Sequence, residues 1–232
     1  ASPEIYIFPY TTLSDLAHTL DPSDVLILDG TATFSGGLTL DGAGALVDSG
    51  AQTLNATGSL TVTNGSVTAT TGRINTGASA LNLAAGGSIT FTGAGAPSLS
   101  SGAVTNGGTI TLAGGTAATG SVTNTGTITF GTAAGAVWTA SGFFTSSSTV
   151  NNTFTNTISV SGNVTISGTF ATPLNSTLRM TGSPTNLNAG VPLGNFVANA
   201  GGTINLTADF SLANDPTIQT GTLACGKFTI TS

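Results

Sequence analysis

Apolar residues recur along the chain in twos, separated by one hydroxyl residue and introduced by glycine. The pattern Gly, any residue, apolar, polar, apolar occurs at Gly36 (GGLTL), Gly58 (GSLTV), Gly87 (GSITF), Gly108 (GTITL), Gly126 (GTITF), Gly162 (GNVTI), Gly202 (GTINL) and Gly226 (GKFTI). Its polar position is Thr in seven of the eight copies and Asn205 in the other. Alternation with a period of two, carried largely by β-branched residues, predicts strands. Two neighbouring copies are longer, VTNGGTITL at Val104 and VTNTGTITF at Val122. The intervals between copies are 22, 29, 21, 18, 36, 40 and 24 residues, and degenerate copies fill the longest gaps, SSTV at Ser147 to Val150 and STLRM at Ser176 to Met180. Self-similarity at this period marks a repeat architecture. Strands this short, with corners between them, cannot form meanders of long hairpins. They predict an all-β, single-domain parallel β-solenoid (β-helix) of roughly 8–10 turns, each stacked on the last at about 4.8 Å.

In such a coil the apolar positions, such as Ile110 and Leu112, form ladders inside, and the Thr and Asn positions form ladders outside. The leading glycines and neighbouring asparagines are expected to supply corners with positive φ. The amino end departs from the repeat. Thr12-Leu-Ser-Asp15 resembles a capping box, and Leu13, Leu16, Ala17 and Leu20 share one helical face before Pro22. The expected organisation is therefore residues 1–30, an apolar strand within EIYIFPY followed by an amphipathic helix Thr12–Leu20 that caps the coil, and residues 31–232, the solenoid repeats. A strand Val25–Leu28 should follow the helix, and Phe228–Ser232 should form the last one.

Composition sharpens this picture. Charged residues are 5% of the 232, against about 25% in ordinary soluble proteins. Their solubilising role passes to 45 Thr, 24 Ser and 17 Asn. Like charges stacked at strand spacing would repel, which explains the scarcity. Seven of the nine carboxylates precede residue 49, and between Asp48 and Asp209 the only charged residues are Arg73 and Arg179. Three cations in all exclude nucleic acid as a partner, because a run of phosphates could not be neutralised. No apolar run approaches the roughly 20 residues of a membrane helix, so membrane insertion is not expected. One cysteine, Cys225, leaves no internal disulfide and no multi-cysteine metal site.

The run LGNFVANAGGTINLTADFSLANDPTIQTGTLACGKFTIT, Leu193 to Thr231, resembles the repeats of secreted bacterial β-solenoid surface proteins, including adhesins and autotransporter passengers. VTNGGTITL and VTNTGTITF are similar to the same class, so the resemblance spans Gly36 to Thr231 and leaves out the first 35 residues. It implies an exported, surface-exposed protein without catalytic residues. The start ASPEIY suits a chain left after signal-peptide cleavage, and the expected location is extracellular or cell-surface.

The search for chemistry agrees. Glycoside hydrolysis generally uses paired carboxylates, and the middle of the coil has none. Asp29-Gly30 and Asp41-Gly42 read as turn formers, and His18 falls on the expected cap helix. No enzyme activity, cofactor or metal is expected. The leading expectation is a self-assembling subunit of an extracellular fibre, sheath or surface layer. Its partners would be copies of itself, joined head to tail or by strand exchange through Ile5, Tyr6, Ile7, Phe8, Phe228 and Ile230. The alternative is a monomeric adhesin or stalk that binds surface glycans through an aromatic platform of Trp138, Phe143 and Phe144. A third reading is an ice-binding face of Thr109, Thr111, Thr127 and Thr129, against which stand the mixed outward pairs and uneven spacing of the other copies.

Overall fold

Most turns of the chain contribute three short strands, each paired in parallel with its counterpart one turn later. The computed structural model describes residues 5–8, 11–13, 17–93, 97–131, 135–152, 155–171, 175–183, 185–227 and 229–231. These residues form a parallel β-solenoid of about 10 turns. Its first side stacks Ile5–Phe8, Val25–Leu28, Ala45–Asp48, Gly65–Ala69, Ser88–Phe91, Thr109–Leu112, Thr127–Phe130, Thr149–Asn152 and Phe170–Ala171. The second side runs from Thr11–Leu13 through Arg73–Asn75 and Val137–Ala140 to Thr177–Met180. The third runs from His18–Leu20 through Val104–Asn106 to Thr185–Ala189. Near the carboxyl end the corner between the second and third sides flattens, and the strands Asn195–Leu206 and Thr217–Ala224 each run through both sides.

The apolar positions of the repeat stack into the interior as expected. Ile89, Ile110 and Ile128 pair Cα on Cα and are fully buried, as are Phe91, Leu112 and Phe130 beside them. The core is thus a continuous column of branched and aromatic side chains, each held between copies of its own position above and below. Three polar residues inside the column are chained to one another, whereas the buried Asn152 has no partner on either amide atom. Asn106 Nδ2 donates to Asn124 Oδ1 at 2.7 Å, and Asn124 Nδ2 donates to Ser146 Oγ at 2.9 Å. All three are completely buried. Such a ladder offsets the desolvation cost that a single interior amide would carry.

Three expectations need correction. The segment Thr12–Leu20 is not a helix: Thr11–Leu13 and His18–Leu20 are strands stacked on Ala32–Phe34 and Leu38–Leu40, and residues 14–16 lie outside the described residues. So short a helix is marginal by itself, and it would leave the backbone groups of the next turn unpaired. Strand pairing wins.

The repeat is also not a mark of one side. The copies at Gly36, Gly58, Gly162 and Gly202 lie on the third side, whereas those at Gly87, Gly108 and Gly126 lie on the first. The odd intervals of 29 and 36 are the jumps between the two sides.

The third correction concerns the glycines. Of the eight leading glycines only Gly226 has positive φ. Gly58, Gly87, Gly108, Gly126, Gly162 and Gly202 serve close approach instead. A Cβ on Gly126 would overlap the carbonyl oxygen of Gly108, and one on Gly108 would overlap that of Gly87. Those carbonyls accept hydrogen bonds from the next turn, Thr109 N–H at 3.0 Å and Thr127 N–H at 2.8 Å. Neighbouring asparagines such as Asn106 and Asn124 point inward and are likewise absent from the positive-φ residues. Gly126→Ala should therefore destabilise the fold by about 1–3 kcal/mol through overpacking, measured as a lower midpoint in urea. An unchanged midpoint would show that the corner gives way freely.

Candidate interaction surfaces

In-register stacking converts each outward position into a row of like side chains. On the first side two rows run along the coil. One reads Ser66, Ser88, Thr109, Thr127, Thr149, and the other Thr68, Thr90, Thr111, Thr129, Asn151. This array of nine hydroxyls and one amide has strands of fixed spacing beneath it. Thr68 donates to Asp48 Oδ1 at 3.3 Å, but among the described residues Thr90, Thr109, Thr111, Thr127 and Thr129 spend no side-chain hydroxyl on another protein group. The third side carries one continuous outward row, Thr19, Thr39, Thr61, Asn82, Thr105, Thr123, Thr145, Thr165 and Asn188, because its strands up to Val164–Ile166 present one outward residue each.

The same first side is apolar at its amino-terminal turns. Above Ser66 the row continues as Leu46, Val25 and Ile5, and above Thr68 as Asp48 and Ile27. Ile5 is 63% exposed and Ile27 39%. Strands that read IYIF and VLIL are apolar on both faces, a pattern that belongs to sheets covered on both sides. At the other end of the coil Ile218 stacks on the buried Ala198 yet is 51% exposed, and Leu223, Cys225 and Ile230 are only partly covered.

The residues singled out for assembly divide accordingly. Ile5 to Phe8 form a strand paired with Val25–Leu28 of the same chain, so the segment completes its own coil. Ile230 sits in a two-residue strand against Phe210–Ser211, and Phe228 lies outside the described residues. The aromatic platform is not formed. Trp138 and Phe144 are fully buried, and only Phe143 reaches solvent, 44% exposed. Trp138 meets Phe130 edge to face, with centroids 6.3 Å apart, and its indole N–H donates to Thr119 Oγ1 at 3.0 Å. The parity of the strand Val137–Ala140 fixes this: Trp138 and Ala140 share the inward set with Ile158 and Val160 of the next turn.

Titratable groups are scattered in structural roles. His18 opens a strand and packs edge to face on Phe34 at 5.4 Å. Asp24 closes a turn by accepting the Asp21 N–H, and Asp209 accepts the Thr229 N–H at 2.6 Å. Among the described residues no three of His, Cys, Asp and Glu are grouped to hold a metal ion. A shallow groove of about 400 Å³ passes Gly77, Ser101, Gly102, Thr119 and Ser141, and a smaller one of about 240 Å³ passes Val191, Asp209 and Phe210. Neither brings an acid, a base and a nucleophile together.

No protein-family model matches the chain, and comparisons with curated proteins and with solved structures find no match.

What the sequence reading missed was the separation of sides. Thr109, Thr111, Thr127 and Thr129 belong with Ser66, Thr68, Ser88 and Thr90 in one array, while the discordant pairs Gly37/Thr39, Ser59/Thr61 and Asn163/Thr165 lie on the third side. A count of seven residues from Leu81 to Ser88, too short for a turn, was the available signal. Trp138→Ala tests the interior assignment. It should cost about 3–5 kcal/mol in chemical denaturation, whereas a loss near zero would return the indole to the surface.

Proposed function

We propose that the chain is an exported structural protein, a solenoid subunit that joins copies of itself into an extracellular fibre, sheath or surface layer. The observation that carries this reading is the apolar outer surface of the amino-terminal turns, Ile5, Val25, Ile27 and Leu46. Apolar positions on the outside of a coil this poor in charge favour a protein partner over solvent.

The geometry of the ends suits a copy of the same chain. In a parallel coil both end turns offer the same slanted pattern of backbone donors and acceptors, one edge facing each way. A second copy stacked head to tail continues the pairing without reversing any strand. Such a contact is heterologous and does not close, so it builds filaments rather than dimers. The resemblance of Leu193 to Thr231 to secreted bacterial surface repeats supports the same assignment and the extracellular location.

The glycan-binding adhesin is less well supported once Trp138 and Phe144 are interior, since Phe143 alone offers no platform for a sugar face.

Light scattering with negative-stain imaging of the purified chain should show long oligomers. These should shorten or vanish when residues 1–10 are removed, or when Ile5→Thr and Ile27→Thr are combined, with the circular dichroism of the coil retained. A stable 22.5 kDa particle from the unaltered chain would refute the proposal.

A further inference from the structure

The hydroxyl array on the first side is built for a ligand that repeats in two dimensions, and we infer that this ligand is the surface of ice. Along the coil its rows repeat at the strand separation, about 4.8 Å, and across the coil the two rows stand two residues apart, about 6.6 Å. Both spacings are imposed by backbone pairing, not by side-chain choice. Five consecutive turns keep the register without interruption, from Ser66/Thr68 to Thr149/Asn151.

Three features narrow the ligand to ordered water. The five turns carry no charged side chain on this side, and none of its ten outward residues is aromatic. A single glycan chain repeats in one dimension and is gripped by aromatic faces and paired amides or carboxylates; those are missing here, apart from Asn151. Among the described residues the hydroxyls of Thr90, Thr109, Thr111, Thr127 and Thr129 have no protein partner, so each can join an external hydrogen-bonded network. The contrast with the second side is informative: Asn75 Nδ2 donates to Asn55 Oδ1 at 2.9 Å, and Asn55 Nδ2 to Thr33 Oγ1 at 3.2 Å, so that row spends hydrogen bonds on itself. Finally, threonine is stiff at χ1, and its neighbours in the row confine it further. Its hydroxyl and methyl are presented in a repeated arrangement with little entropy left to lose on binding. The uneven spacing that weighs against a matched plane in the linear sequence is taken up between the strands, since Ser66, Ser88, Thr109, Thr127 and Thr149 remain paired in register.

This inference stands independently of self-assembly, because the array occupies the middle turns of the first side, from Ser66 to Asn151, and the apolar residues occupy the turns before it. It is tested by slow freezing of a solution of the dye-labelled chain, scoring partition into the growing ice, and by the size of ice grains after annealing. The chain should enter the ice and keep the grains small. Thr111→Lys combined with Thr129→Lys, at the centre of the array, should abolish both effects while leaving the thermal unfolding profile cooperative. Thr123→Lys, on the third side, should leave both intact. Exclusion of the unaltered chain from ice would overturn the inference, as would an equal loss from the third-side variant. Exclusion from ice with retention on crystalline cellulose or chitin would also overturn it and reassign the array to a polysaccharide surface.

Discussion

Parallel backbone pairing from one turn to the next, in register, is the constraint on which the rest of this protein depends. It fixes the distance between equivalent side chains at the strand separation and leaves each position to be repeated or accommodated. Ile89, Ile110 and Ile128 can follow one another because a branched side chain packs well on its own copy. Carboxylates could not, and the long interval without them is the chemical counterpart of that geometry. The same approach of neighbouring turns explains the corners. Gly87, Gly108 and Gly126 give up a side chain so that the carbonyl of one turn can meet the N–H of the next.

The interior shows how polar residues are admitted under this rule. Asn106, Asn124 and Ser146 occupy an inward row that elsewhere holds Leu40, Val62, Leu83 and Ile166. Without the stacked neighbour, either Asn would leave an amide N–H buried without a partner. Stacked, each Asn donates to the residue of the next turn, and Asn106 also reaches the Thr127 carbonyl at 3.0 Å. Asn152, stacked on Phe130, is buried with neither amide atom partnered, but in this ladder each amide is satisfied by the adjacent turn, so neighbouring turns change together. This accounts for the near identity of VTNGGTITL and VTNTGTITF, which lie on directly stacked strands.

One side of the coil holds two kinds of surface, apolar over the first turns and hydroxyl-bearing over the middle ones. Because the backbone beneath is continuous, the change depends on side chains alone. The two surfaces serve the two proposed tasks separately, the apolar first turns for contact between subunits and the hydroxyl-bearing middle turns for an extended, uncharged lattice. Neither requires the grouped acids, bases or nucleophiles of catalysis.

How far the sequence could be read depended on the range of the interaction concerned. Strand parity is local, so the inward Ile and Leu residues and the outward Thr residues were legible from the repeat itself, and the same parity could have placed Trp138 inside. The identity of the amino-terminal segment was not, because Leu13, Leu16, Ala17 and Leu20 satisfy a helical period, and only pairing of Thr11 with Ala32 and His18 with Leu38 selects strand. Phe228 lies beyond the described residues and stays an expectation. The linear chain by itself determined that the protein is a coil of short parallel strands with a charge-poor exterior, since alternation and composition are properties of neighbours in sequence. Which of three sides each repeat occupies, and hence that the hydroxyls gather in one two-row array, was decided only by tertiary structure, because corner length sets the side and stacking partners about twenty residues apart set the register.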